Sequence, residues 1–439
     1  MTLALRDAAI RVDPGRRGLP IDGFGVNINS KCWDGGRLAP VLDLLIDDLG
    51  ATLFRVDAYG RSDWIDPTGV LGPGALSEEN LGKVYRGTDS QHLKAMCRHL
   101  NARGIEPYLT LSGIVPKWMC ADDGVTLSDS NAFAEMAASY VQWARKEAGI
   151  RFTLFGPSNE TDIGPPEGPL VSPEAFVALA ELLIEKLDAR GLEDIRLVVA
   201  EQAHHDLSYV SRFLEHPKLM ERIAVFGMHK YGDSGAADVV EAVRASGYPD
   251  CKVWMTEYGD LDQTGAREWP VAWAIFRRLM GILEDGLTGA LIWDAFDNHH
   301  DHDERWTIYG LLRSGQRVYT PKKRYFACKH IYRFVRPGFL RVGASSTCES
   351  IRALAFASPD GADLTVVGMN EATDDVRITI RGANIDNRLS SKVDFHRTTA
   401  SDDCVRVCTI HALGRNLGES GIEITAPARS IFTVTSVRV

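Results

Sequence analysis

A (β/α)8 barrel followed by an all-β sandwich is the fold the sequence predicts, and three observations predict it. Eight apolar, strand-like stretches between residues 21 and 297 alternate with helix-patterned segments without a long structureless gap, a count that fits a closed barrel better than an open doubly wound sheet. After Arg336-Pro337-Gly338 the texture changes to short strands separated by turn residues. The 439 residues accommodate a barrel of about 250 residues with a smaller domain beside it. The expected division is 1–20 as a strand joining the sandwich, 21–336 as the barrel and 337–439 as the sandwich.

Residues 3–12 alternate loosely and run into Asp13-Pro14-Gly15, which predicts a strand ending in a turn. Ile21 to Asn29 is the first barrel strand, and Asn27 is placed to face a ligand. The helix from Pro40 to Leu49 shows Leu42, Leu45, Ile46 and Leu49 at helical spacing and stops at Gly50. The second strand, Thr52 to Tyr59, carries Arg55 among apolar neighbours; an arginine there needs a carboxylate partner, either a structural one such as Asp57 or a site carboxylate. A helix over 89–103 leads to the third strand at 105–112, after which Trp118 stands ready either to stack on a sugar ring or to anchor a loop. A helix over 131–148 and a fourth strand follow; Ser172-Pro173 then opens another helix as N-cap and first helical residue. The remaining barrel strands begin near Ile195, Ile223, Lys252 and Gly289, a last helix covers 325–334, and seven short strands from Ser350 to Val439 make the sandwich.

Composition narrows the function. With 45% hydrophobic and 25% charged residues the chain reads as an ordinary globular protein. A net charge of −10 without a basic block argues against nucleic acid as a partner. No apolar run approaches the length that spans a bilayer and the first residues do not form a secretion signal, so a cytoplasmic location and no membrane are expected. The eight cysteines form no CxxC pair and read as reduced thiols. A homo-oligomer is left open.

Two stretches carry the chemistry. Phe152-Thr-Leu-Phe-Gly-Pro-Ser-Asn159-Glu160 and Lys252-Val-Trp-Met-Thr-Glu257 each end an apolar strand in a glutamate. Strand ends at a barrel mouth hold a side chain rigidly while leaving it open to a ligand. Two such carboxylates are what glycosidic-bond cleavage requires, one to protonate the leaving oxygen and one to meet the sugar carbon. The bland alternative makes each a salt-bridged barrel acid. Asn298-His299-His300-Asp301-His302-Asp303, just past the eighth strand, reads as a mouth loop touching sugar hydroxyls; a transition-metal site completed by Glu201, His204 and His205 is a minor alternative. No metal and no cofactor are expected.

Taken together, Ile21-Asp-Gly-Phe-Gly, the Pro-x-Trp-Met of 116–119, Pro157-Ser-Asn159-Glu160, the Glu257 strand, Lys323 to Gly338 and Ala428 to Thr435 make the chain resemble clan A glycoside hydrolases, most closely family 30. The resemblance implies a retaining hydrolase with Glu160 as acid/base and Glu257 as nucleophile. It further implies that Asn159 binds the hydroxyl beside the reacting carbon, that Arg55 holds the nucleophile ionised, and that His229 or Tyr231 and Trp293 line the sugar subsite. Gly113-Ile114-Val115 and Val26 to Asn29 depart from the family's usual residues, so the sugar is not implied. The expected substrate is a β-linked glycoside or oligosaccharide. A furanosidase or transglycosidase of the same clan is the alternative; a carbohydrate-binding protein without catalysis would require a broken carboxylate pair, and both glutamates are present.

Overall fold

A computed structural model describes residues 6–59, 71–74, 76–204, 206–232, 235–265, 267–300, 305–315, 318–382, 392–411 and 421–438. The chain starts in β1 (Arg6–Pro20) and then enters the eight parallel strands of the barrel: β2 (Gly23–Ile28), β3 (Leu53–Tyr59), β4 (Tyr108–Ser112), β5 (Leu154–Gly156), β6 (Arg196–Gln202), β7 (Ile223–Lys230), β8 (Lys252–Tyr258) and β9 (Gly289–Ile292). Pairing of β2 with β9, Gly23 opposite Gly289 through Val26 opposite Ile292, closes the cylinder. The predicted barrel is the observed one.

Parallel strands are covered on both faces, which is why they read as nearly continuous apolar runs. Their outer faces join the helices in one extended core. A separate small cluster, Leu53, Tyr108, Leu154, Val198, Val225, Trp254 and Leu291, takes a residue from each of β3 to β9 and fills the barrel near the start of its strands. Asp22 closes that end by accepting hydrogen bonds from Trp254 Nε1 at 2.8 Å and Thr288 Oγ1 at 2.6 Å. The opposite end is therefore free to hold polar side chains.

Local signals set the helix ends. Ser172 accepts from the Ala175 amide with Pro173 next to it, opening the helix Pro173–Asp188. The helix Ala39–Leu44 continues as a π turn over Leu45–Leu49 and stops at Gly50, whose φ of 87° is a left-handed cap. The helix Glu78–Tyr85, absent from the sequence expectation, begins at Ser77 accepting from Asn80.

Two short hairpins follow the barrel, β10 (Asn298–His300) with β11 (Arg305–Thr307) and β12 (Leu312–Ser314) with β13 (Tyr319–Pro321). The rest is the β-domain: β14 (Leu340–Ser346), β15 (Ile351–Ala357), β16 (Leu364–Asn370), β17 (Val376–Gly382), β18 (Lys392–Thr398), β19 (Val405–His411), β20 (Ile422–Ala426) and β21 (Ser430–Thr435). In place of two separate sandwich sheets there is one nine-stranded sheet, ordered β19-β18-β21-β16-β15-β14-β1-β17-β20. It curls over a single core shared by Ile10, Ile378 and Ile424 from one wing and Val366, Phe395 and Phe432 from the other.

The N-terminal strand sits inside this sheet, third from one edge, antiparallel to β14 and parallel to β17. It does not end at Asp13 as its turn residues predict. Pairing with β14 continues across two register shifts, one on each side of the Arg17–Val342 pair, to Pro20 opposite Leu340, because Pro14 to Arg16 are absorbed as a bulge. β14 itself was not foreseen.

Candidate active site

The site grows from the C-terminal ends of the barrel strands. On β3, Arg55 and Asp57 lie two residues apart and so share the inward face. Arg55 is fully buried, and both of its Nη atoms donate hydrogen bonds while its Nε faces a carboxylate. Nη1 donates to Glu257 Oε1 at 2.7 Å and to Asn27 Oδ1 at 2.8 Å, Nη2 donates to Asn159 Oδ1 at 2.7 Å, and Nε lies 3.2 Å from Glu201 Oε1. Asp57 Oδ1 is 3.3 Å from Nη1. The structural and site readings of Arg55 therefore hold together: one side chain ties β2, β3, β8 and the residues following β5 and within β6 into a fixed arrangement.

Glu160 follows β5 with its backbone at φ 42°, in the left-handed region, and its amide donates to the Glu201 carbonyl at 3.0 Å. Its Oε1 lies 2.6 Å from His229 Nδ1. Glu257, inside the end of β8, accepts from Tyr231 Oη at 2.7 Å through the oxygen that Arg55 does not use. Ligating atoms of Glu160, His229 and Glu257 all fall within 4.8 Å of one another. Two glutamates 97 positions apart in sequence thus face each other across a gap smaller than one sugar ring.

Two cations, Arg55 and His229, stand among four carboxyls. Burial raises the Glu201 carboxyl, but Arg55, and after it His229 and Tyr108, lower it further, leaving it at about 2. Burial alone pulls the His229 imidazolium down; the Glu257 charge and the hydrogen bonds to Glu160 and Glu201 reverse this and carry it to about 10. Burial pushes Asp57 up to about 7 against the pull of Arg55, with Glu257 and Glu201 adding to the rise. At neutral pH His229 is a cation wedged between the two glutamates.

The pocket above these groups encloses about 270 Å³. Asp57, Asn159, Glu160, Tyr231, Glu257 and Trp293 line its depth. Its rim includes Glu167 and Tyr309, together with Ile163 and Leu261, which are unusually exposed for large apolar residues. Polar groups in the depth with two exposed apolar side chains, Ile163 and Leu261, beside them suit a sugar carrying an apolar or sugar-ring substituent.

Of the residues singled out in the sequence, Asn159, Glu160, Tyr231, Glu257 and Trp293 line the pocket, Arg55 and His229 contact its glutamates without lining it, and four are placed elsewhere. Trp118 is half-buried against the main core on the short turn Lys117–Met119, the loop-anchor alternative. Asn27 is fully buried: its amide donates to the Thr256 carbonyl at 3.0 Å and its oxygen serves Arg55, so it acts on the site from beneath. Asn298 is also buried and spends its amide on Asp294 and the Phe296 carbonyl. His299 is exposed on the β10–β11 hairpin. Asp301, His302, Asp303 and His205 lie outside the described residues.

The minor metal arrangement is corrected by the geometry. Glu201 is fully buried on Arg55 and Tyr108, whereas His204 is exposed and pairs with Asp162 at 3.2 Å. The Glu160, His229 and Glu257 trio is within metal-ligand reach among the described residues, but both Glu257 oxygens already accept from Arg55 and Tyr231. That pattern describes a hydrogen-bonded acid pair.

Sequence reasoning missed Glu201 as the main partner of Arg55, and Asp57, Glu167 and Tyr309 as pocket residues. Glycines gave a usable signal for Glu201. A Cβ on Gly156 would come 2.7 Å from Glu201 Oε2 and 2.3 Å from Tyr108 Oη, and one on Gly227 would come 2.7 Å from Glu201 Cγ. Both neighbouring strands give up a side chain to make room for this carboxylate.

The eight-stranded barrel with its β-domain is the fold of solved family 30 glycoside hydrolases. Among solved structures the chain is similar to a family 30 endoxylanase from Clostridium papyrosolvens C71, with a TM-score of 0.75 and 18% identity over 97% of this chain and 99% of that one. It is also similar to an endo-β1,6-glucanase, with a TM-score of 0.71 and 16% identity over 100% and 96% of the two chains. Among curated proteins, glucuronoxylanase XynC of Bacillus subtilis (strain 168) is 23% identical over 262 residues, 58% of this chain and 55% of that protein. The match thus spans about half the length of that relative. No family model matches the chain.

Proposed function

We propose that this protein is a retaining β-glycosidase acting on a β-linked glycoside or oligosaccharide. The observation that carries the reading is the approach of Glu160 and Glu257 to within 4.8 Å at the ends of two barrel strands, near the roughly 5–5.5 Å of double displacement and short of the roughly 6.5–9.5 Å that inversion needs for its water. Glu257, held by Arg55 and Tyr231, attacks the anomeric carbon as the bond to the leaving oxygen breaks, and Glu160 delivers a proton to that oxygen. Glu160 then takes a proton from water, the water oxygen attacks the same carbon, and Glu257 leaves. His229, in contact with both glutamates, keeps a proton at hand and orients Glu160. Asn159, fixed by Arg55, presents its amide to the hydroxyl next to the reacting carbon.

The solved relatives cleave different linkages, so the sugar is an experimental question. A panel of nitrophenyl pyranosides and furanosides identifies it: turnover of at least one β-glycoside, with retention seen by NMR of the first-formed product, is expected. Turnover with inversion, or none with wild-type protein across the panel, overturns the reading. Eight free cysteines support a reducing, cytoplasmic site of action.

A further inference from the structure

A second cavity, of about 880 Å³, lies between the β1 bulge, β14 and the C-terminal end of the helix Glu268–Asp285. It shares no lining residue with the catalytic pocket. A small adjoining hollow is lined by Ile21 and Leu287, which immediately precede β2 and β9, so the cavity lies by the closed end of the barrel, away from the glutamates.

Its chemistry is one-sided. Arg16, Arg17, Arg244 and Arg341 line it, and Glu284 is the acid among the lining residues. Glu284 is already held by both Nε and Nη2 of Arg352. None of the four arginines has a carboxylate within ion-pair distance among the described residues; Arg17 Nε donates to the Pro14 carbonyl, and Arg341 Nη1 to the carbonyls of Leu283 and Glu284. Arg341 is half-buried; burial opposes its charge, Glu284 and more weakly Asp285 favour it, and Arg244 and Arg16 repel it, so that on balance its pKa is lowered. Four arginines without an ion-pair partner among the described residues, set around one concavity, repel each other. Two register shifts, with Arg16 inside the first and Arg17 paired between them, interrupt the ladder from Asp13 to Pro20, and such interruptions often re-aim side chains toward a function.

We propose that this cleft is a binding site for a multivalent oxyanion, a ligand displaying two or more carboxylate, sulfate or phosphate groups. Guanidinium forks match these groups in pairs, and the volume lies in the range of about 300–1,000 Å³ usual for ligand sites. Arg341, braced on the helix carbonyls, is the fixed element, and Arg16, Arg17 and Arg244 close on the ligand from the open side.

The test is titration calorimetry at low salt on the full chain with trigalacturonate, a sulfated disaccharide, pyrophosphate and inorganic sulfate, comparing wild type with an Arg16→Ser/Arg244→Ser double variant. Both substituted residues are exposed and outside the catalytic pocket, so glycosidase turnover and thermal midpoint serve as controls that should not change. Saturable binding of at least one multivalent probe, at least tenfold weaker in the double variant and weakened by salt, is expected; which probe wins separates carboxylate, sulfate and phosphate ligands. No binding by any probe, equal affinity in the two proteins, or affinity for inorganic sulfate equal to that for the linked anions overturns the proposal. The outcome is independent of whether the catalytic pocket proves to be a glycosidase.

Discussion

At the scale of single residues, the two glutamates are separable by experiment because their chemistry differs. Glu257→Ala should abolish turnover of every glycoside the wild type accepts, with azide restoring activity to give a glycosyl azide. Glu160→Ala should lose about 10²–10⁴ in rate on poor leaving groups and far less on dinitrophenyl glycosides, whose oxygen needs no proton. Steady-state rates across a leaving-group series check this. Arg55 has a structural role as well. Removing it as Arg55→Met leaves Glu201 and Glu257 with His229 as their remaining cation, and the loss expected on breaking a buried pair is about 3–5 kcal/mol, read from urea unfolding. The charged groups also fix a pH window. Glu201 has its folded pKa depressed to about 2, so its stabilisation is present above the ordinary carboxylate range and lost as pH falls toward 2. His229 is raised to about 10, so its contribution is full below about 6.5 and fades as pH rises through 10. Asp57 runs the other way: raised to about 7, it costs stability as pH climbs from about 4 to 7. Asp57→Asn should therefore gain on wild type in thermal midpoint between pH 5 and pH 8, and a gap that shrinks over that range would contradict the assignment.

At the scale of elements, strand packing decides where a polar residue is tolerated. Gly156 and Gly227 flank Glu201 on β5 and β7, and their missing side chains are the space that Glu201, Tyr108 and Thr110 occupy. Gly156→Ala and Gly227→Ala should each destabilise by about 1–3 kcal/mol through overpacking, and each should also lower kcat by moving Arg55 off Glu257. Denaturant midpoints together with kinetics test the pairing of the two effects. The N-terminal strand makes a different point. Ile10, fully buried, pairs with Ser346 on β14 and Ile380 on β17, so a residue near the chain start holds two strands more than 330 positions away. Ile10→Ala should cost about 2–5 kcal/mol.

At the scale of the whole molecule, the barrel and the β-domain share an interior. His330, on the helix Lys323–Tyr332, reaches Thr433 at 2.7 Å and Thr398 at 2.8 Å through its two ring nitrogens, and Thr365 bonds the Phe334 carbonyl at 2.8 Å. One cooperative unfolding transition is expected in calorimetry, and two resolved transitions would show the domains to be energetically separate. Burial keeps His330 neutral, well below its ordinary pKa, so this joint is intact above about pH 6.5 and weakens on acidification.

The sequence by itself determined the number and order of barrel strands, the change to β structure after residue 336, and the two strand-end glutamates, because these depend on local periodicity and on turn chemistry. What Glu201, at another strand end, pairs with is not written along the chain; only closure of the barrel sets it beside Arg55 while Glu160 and Glu257 meet across the pocket. Likewise Asn27 and Asn298 were read as facing a ligand, yet backbone carbonyls and neighbouring side chains claim them. Period two in a strand says which face a residue takes; its height in the barrel and its distance to a partner on another strand follow from tilt and register, which the linear chain does not state.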